Sequence, residues 1–340
     1  MREAKFQTYV EVPNYHMHTG YQEKNIFIGS CFTENVGGRM QALKYPVDIN
    51  PFGILYNPSS VCNALQILLD KRKFSDNDLF QHNGLWHSFM HHGRFSSASQ
   101  EEVLEAVNSR IEFSSAGLSQ ADFLFLTFGT AWIYRYVETG NVVANCHKLP
   151  AAKFVRERLS VAEIIDAYTE LLPRLWQKNQ GLKIVFTVSP IRHWKDGAIE
   201  NQRSKSTLIL AIDELVKRFP GKCFYFPSYE IVMDELRDYR FYAEDMLHLT
   251  DVAVDYIWSV FEDSLIDKES QKTARKIQKV VNAVQHRPLN KFSEEYVNFL
   301  NKSLKMTIEL EREFPYLNLK LEKEYFILHL RELGQAKEQK

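Results

Sequence analysis

The chain reads as an α/β protein, a three-layer α/β/α sandwich around a mostly parallel sheet, followed by a C-terminal helical extension. Three observations lead there. Apolar runs at 26–28, 46–49, 123–128, 184–188 and 223–226 have the length and composition of buried strands. Amphipathic stretches of helical period separate them, the mark of βαβ units with helices on both faces of the sheet. Beyond about residue 268 the strand runs stop and only helical periodicity remains.

Each element has a local reason. At 161–176, Ile164, Ile165, Tyr168, Leu171, Leu172 and Leu175 fall on one helical face. Leu208, Leu210, Ala211, Leu215 and Val216 do the same at 207–219. The interval 57–120 is less regular and holds an aromatic and histidine-rich segment from Trp86 to Phe95, so it reads as an insertion or rim. Trp132, Tyr134 and Tyr136 alternate as in a strand continuing past Gly129. Helices are expected at 273–285, 293–314 and 319–333, separated by Arg287-Pro288 and by Pro315, with 334–340 frayed. The division is therefore a domain at 1–267 and a helical extension at 268–340.

Composition excludes several classes. The 340 residues are 45% hydrophobic and 13% aromatic, which argues for a full core and against disorder. The 42 basic and 43 acidic residues leave a net charge of −1, so neither nucleic acid nor an anionic membrane is favoured as a partner. No span approaches the ~20 apolar residues of a membrane helix. The charged start at 1–7 lacks the apolar core of a signal peptide, so a cytoplasmic location is expected. Four cysteines (Cys31, Cys62, Cys146 and Cys223) are scattered without a paired motif, so neither a disulfide framework nor a metal site is indicated. No phosphate-cradling glycine-rich motif is present, and no cofactor is expected.

Two constellations carry chemistry. In the first, three apolar residues run into Gly29-Ser30-Cys31, and a helix-compatible stretch follows. A small nucleophile on such a turn sits at the carboxyl edge of the sheet, near the partial positive charge of a helix N-terminus. Cys31 or Ser30 is the candidate. A small, buried, inert thiol is the competing reading of Cys31. The second is Asp245 and His248, three positions apart just before a helix whose cap candidate is Thr250. Such a carboxylate can bond one imidazole nitrogen and leave the other free to act as a base, although an isolated pair of this kind is more readily a solvated loop.

Taken together, these segments resemble the GSCFA family, a bacterial family placed among the SGNH (GDSL-type) hydrolases. Gly29-Ser30-Cys31-Phe32 matches its signature, with Thr33 where the last residue of the name would be Ala. Further likeness lies in the blocks around Asn50 to Pro58, Phe128 to Trp132, Cys146 to Lys148, Val188 to His193 and Asp238 to His248. The resemblance spans roughly 20–265. It implies a flavodoxin-like sheet and a hydrolytic site in which Cys31 replaces the nucleophilic serine and Ser30 the acid before it. His248 would then be the base and Asp245 its orienting partner. Gly53 is implied as an oxyanion donor and Gly129 as the glycine of the next block, where the asparagine expected two residues later is Ala131. Asn50 is a possible substitute donor. A thiol at a helix N-terminus beside a histidine is expected to ionise near neutral pH.

The activity so implied is acyl-ester hydrolysis (an esterase or deacetylase) on a small-molecule or carbohydrate ester. An acyltransferase or an inactive ligand-binding relative is the alternative. His193 follows the 184–188 strand and either faces the same cleft or caps the next helix; His147 and Lys148 are placed by resemblance alone. His82, His87, His91 and His92 match no metal-binding spacing and read as rim or structural histidines.

Overall fold

A computed structural model describes residues 7–338, with side chains through residue 334 of the last helix. The expectations for the charged N-terminal residues and for the last two residues lie outside this range. The chain divides into two units, one of 1–38 with 46–265 and one of 39–45 with 266–340.

In the first unit the apolar runs form a five-stranded sheet. Its strands are β1 (Asn25–Gly29), β2 (Val47–Ile49), β5 (Phe123–Phe128), β9 (Lys183–Val188) and β10 (Cys223–Tyr225). The spatial order is β2-β1-β5-β9-β10 and every pairing is parallel. Counting only these strands, that is 2-1-3-4-5, the flavodoxin-like order. Because side chains alternate, Ile26, Ile28, Leu124, Leu126, Phe128, Ile184, Phe186 and Val188 share one core with helices α2 (Pro58–Asp70), α3 (Gln100–Leu118), α4 (Val161–Lys178) and α5 (Gly197–Arg218). On the opposite face Phe27 stacks on Phe125 at 4.3 Å, and both meet Phe261 of α7 (Asp251–Leu265). Phe32 of α1 (Cys31–Ala42) is buried on this side too.

Some elements depart from expectation. The interval 57–120 is not a rim. Its α2 and α3 bury Val61, Leu65, Leu68, Val103, Val107 and Ile111 in the main core, and only a small hairpin, β3 (Phe80–His82) with β4 (Leu85–His87), stands apart. Asn57 starts α2 by accepting the Ser60 N–H at 2.8 Å, a cap easily lost among loop-forming residues. The strand does not continue past Gly129. The chain breaks there, and β6 (Trp132–Tyr136) joins a separate antiparallel sheet with β7 (Val142–Val143) and β8 (Phe154–Arg158). Helix α5 begins ten residues earlier than expected, because its first turns bury the polar Asn201, Ser204 and Lys205, while Leu210 is 57% exposed. After β10 a single turn, α6 (Ser228–Glu230), runs into a wider turn at Ile231–Glu235.

In the second unit, α8 (Lys268–Gln285), α9 (Glu294–Glu313) and α10 (Lys320–Glu338) bury Ile277, Val280, Leu300, Leu310 and Phe326. Asp267 and Ser293 cap the first two by accepting backbone N–H groups. Lys323 pairs with Glu311 at 2.6 Å. Among the described residues, no helix is long and apolar enough to cross a membrane.

Candidate active site

A flavodoxin-like sheet leaves a crevice at the carboxyl ends of the strands where its order reverses, here beside β1 and β5. Cys31 follows β1 and Gly129 follows β5, so both arrive at that crevice. The turn between β1 and α1 requires glycine. Gly29 has φ +152°, and a Cβ there would lie 2.2 Å from the Thr127 carbonyl oxygen of the neighbouring strand. Its N–H donates to Asn50 Oδ1 at 2.9 Å.

Ser30 is 1% exposed, and its Oγ has no hydrogen-bond partner among the described residues. Its hydroxyl is buried, whereas the Cys31 side chain is partly exposed. Cys31, the first residue of α1, is half-buried. The backbone N–H groups of Cys31 and Phe32, in the first turn of α1, favour its thiolate form. Burial nevertheless dominates and raises the thiol pKa, against these N–H groups and the positive charge of Lys205, with Glu34 adding to the rise. This direction runs against the expected ionisation near neutral pH.

The expected oxyanion donors are engaged elsewhere. Gly53 donates its N–H to the Asn50 carbonyl at 2.8 Å, closing a turn in which Gly53 has φ +77° and a Cβ would meet His92 at 2.2 Å. Gly129 donates to the Tyr56 carbonyl at 2.7 Å. Asn50 is fully buried; its Nδ2 reaches Glu34 at 3.3 Å, and Arg94 donates to its carbonyl. These residues brace the loop that flanks Cys31. Ala131 donates its N–H to Ser204 Oγ at 2.8 Å.

Asp245 and His248 do form the expected pair. Asp245 Oδ2 lies 2.5 Å from His248 Nδ1, and Oδ1 accepts the N–H groups of Leu247 and His248 at 2.9 Å each. These bonds hold the Asp245 carboxyl down at about 2. The turn needs Met246 in the left-handed region at φ +57°. Both side chains are about half exposed, and His248 Nε2 has no hydrogen-bond partner among the described residues. No hydrogen bond joins His248 to Cys31 among those residues. Two rings bridge the gap: His193 lies edge-on to His248 at 6.4 Å and to Tyr56 at 5.9 Å, and Tyr56 is close enough to feel charge on Cys31. Burial lowers the His193 pKa, as do the charges of Lys205 and His248. His193 lines the cleft beside the pair.

Next to this line of side chains is a cavity of about 420 Å³, walled by Tyr56, Trp132, Tyr134, Cys146, His193 and Lys195. The other histidines have structural partners: His87 bonds Ser96 and the His82 carbonyl, His91 bonds Ser88, His147 bonds the Ser88 carbonyl, and His92 accepts the Arg94 N–H. Among the described residues, no group of three His, Cys, Asp or Glu is placed to hold a metal ion.

One residue at the crevice was not anticipated. Lys205 of α5 is fully buried, and its Nζ donates to the carbonyls of Gly129 at 2.7 Å and Ser189 at 2.6 Å, capping the ends of β5 and β9. Its signal in the sequence is a lysine three residues before Leu208 and seven before Ile212, on the apolar stripe of its helix.

The chain belongs to the GSCFA family: residues 24–261 match it. Residues 277–332 match the GSCFA domain protein C-terminal domain. Among curated proteins none matches the chain. Among solved structures it is similar to an acetyl xylan esterase from the rumen bacterium Butyrivibrio proteoclasticus. The two are 12% identical with a TM-score of 0.31, over 62% of this chain and 56% of the esterase. The chain thus spans little more than half the length of that enzyme.

Proposed function

We propose that the protein is an acyl-ester hydrolase of SGNH type in which Cys31 is the nucleophile. The observation that carries this reading is the placement of Cys31 at the switch point of the sheet, as the first residue of α1. The thiol gives its proton to solvent, the thiolate attacks the acyl carbon, and the first-turn N–H groups receive the negative charge that develops on the acyl oxygen. His248, held by Asp245 and entering as the imidazolium, protonates the leaving alkoxide; the imidazole so formed takes a proton from the water that cleaves the thioester and frees the thiolate.

A carbohydrate ester suits the cavity, whose wall carries the aromatic rings of Tyr56, Trp132 and Tyr134. The half-exposed His248 favours water over a second substrate as the acyl acceptor. Steady-state hydrolysis of p-nitrophenyl acetate tests the assignment. The Cys31→Ala variant, folded by circular dichroism, is expected to lose turnover. Full activity in that variant contradicts the proposal, and absence of turnover in the wild type with this and other acyl esters favours a ligand-binding relative.

A further inference from the structure

The cavity beside Cys31 has a charge imbalance that ester hydrolysis by itself does not require. It opens next to the nucleophile: Gly129 lines it, and a Cβ on Gly129 would lie 3.3 Å from the Ser30 Cβ, one residue before Cys31. Two cations, Arg156 and Lys195, share its wall with one carboxylate, Asp196.

The carboxylate and the amide oxygens of that wall are engaged from within the protein. Both Asp196 oxygens accept from the Arg156 guanidinium, Oδ2 at 2.6 Å, and the guanidinium lies over the Trp132 ring at 4.3 Å. Asn57 Oδ1 accepts the Ser60 N–H and Asn145 Oδ1 the His147 N–H, each at 2.8 Å. Asn201 Oδ1 accepts from Arg192 Nε at 3.3 Å.

Lys195 is the exception. Its Nζ donates to the Tyr134 hydroxyl and pairs with no carboxylate among the described residues, so two of its three donors stay unused. The other carboxylates of the crevice are held elsewhere: Asp245 bonds His248, and Glu34 pairs with Arg94 at 3.3 Å. Arg192, on the same segment as Lys195, bonds the Asn201 amide and no carboxylate among those residues, so it adds to the positive charge on that side.

We propose that the cavity selects an ester whose alcohol part carries a carboxylate, with Lys195 as its counter-ion. One uncompensated cation in the wall matches one negative charge, which a carboxylate carries, whereas a phosphate monoester carries about −1.5 to −2. An acidic sugar meets both features of the wall: the apolar face of its ring suits the aromatic side chains, and its carboxylate suits the free ammonium donors. This inference rests on the hydrolase reading and names the substrate class of the same site. Lys195 acts in it as a specificity determinant and takes no part in bond making.

The test compares 4-acetoxybenzoate with its methyl ester, which carry the same acetyl group and differ by one charge. The ratio of their kcat/KM values, charged over neutral, is measured in the wild type and in variants, and comparing it between proteins cancels the intrinsic reactivity of each ester. The ratio is expected to fall about tenfold in Lys195→Met and to stay close to the wild-type value in Lys195→Arg. In the wild type it is expected to shrink as salt is raised. Lys178→Met removes a cation at the far end of α4 and is expected to keep the wild-type ratio. The same ratio in the wild type and Lys195→Met overturns the proposal, and so does an equal fall in Lys178→Met. If neither ester is turned over, the hydrolase reading fails by itself, and the Kd values of 4-hydroxybenzoate and its methyl ester, from ligand-observed NMR titrations, decide. A preference for the anion that Lys195→Met abolishes supports the proposal; equal affinities, or no binding of the acid, overturn it.

Discussion

Asp245 and His248 occupy a solvent-facing turn in which one carboxylate satisfies two backbone N–H groups and an imidazole within four residues of sequence. Cys31 and Lys205 lie on separate helices, both drawn out of water, and no hydrogen bond joins them among the described residues. The first pair is held by local geometry, and the surrounding water keeps its ionised form inexpensive. In the second, desolvation pushes the thiol toward its neutral form and the lysine toward an amine. Water keeps the exposed dyad's charge inexpensive, whereas the two buried groups pay for theirs.

That contrast has consequences of different size. His248→Ala removes the proton carrier and is expected to lower kcat for an activated ester by about 10²–10⁴-fold. It should leave the pH profile of Cys31 alkylation in place, and a coincident change in both would show that the two pairs act as one. Gly29→Ala strikes the backbone beneath Cys31. Its Cβ meets the Thr127 carbonyl at 2.2 Å, so a loss of roughly 3 kcal/mol in urea unfolding is expected.

Asp245→Asn keeps the turn's side-chain acceptor but removes its charge, and kcat is expected to fall about 10- to 100-fold. The sign of the pH effect follows from the depressed carboxyl. With a folded pKa of about 2 against ~3.9 unfolded, the Asp245–His248 bond is fully formed above pH 4 and lost as pH falls through 2. The imidazole Nδ1–H resonance of His248 reports it.

The smallest effect is on stability. A lysine whose folded pKa lies near 7, below ~10.4 unfolded, binds fewer protons in the native state, so it makes stability rise with pH above 7. Between pH 7 and 8.5 that rise is about 1–2 kcal/mol, and chemical denaturation should show it in the wild type but not in Lys205→Met. The window stops there because burial raises Cys62 and Cys223 to about 12, which works against the native state at higher pH.

The sheet was legible in the sequence because each of its strands is a continuous apolar run: 123–128 matches β5 residue for residue, and all six apolar positions named at 161–176 are buried in α4. The Asp245–His248 pair was legible because both partners lie in one turn. What escaped depends on contacts distant in sequence. The start of α5 carries polar residues that are buried only because the ends of β5 and β9 present carbonyls to Lys205. The engagement of the Gly53 and Gly129 N–H groups depends on loop closures with Asn50 and Tyr56, which no spacing announces. Likewise α2 and α3 were hidden by the hairpin and histidine-rich segment between them, where local aromatic content masks the core-facing period on either side.

The central claim is that the sulfur of Cys31 carries the acyl group. Rapid quenching of the full chain with p-nitrophenyl acetate in acid, followed by peptide mass spectrometry, measures this directly. An acetyl group on the peptide containing Cys31, lost on further incubation at neutral pH before the quench and absent in Cys31→Ala, is the expected result. Turnover with the acetyl group on another residue, or with Cys31 unmodified throughout, would contradict it.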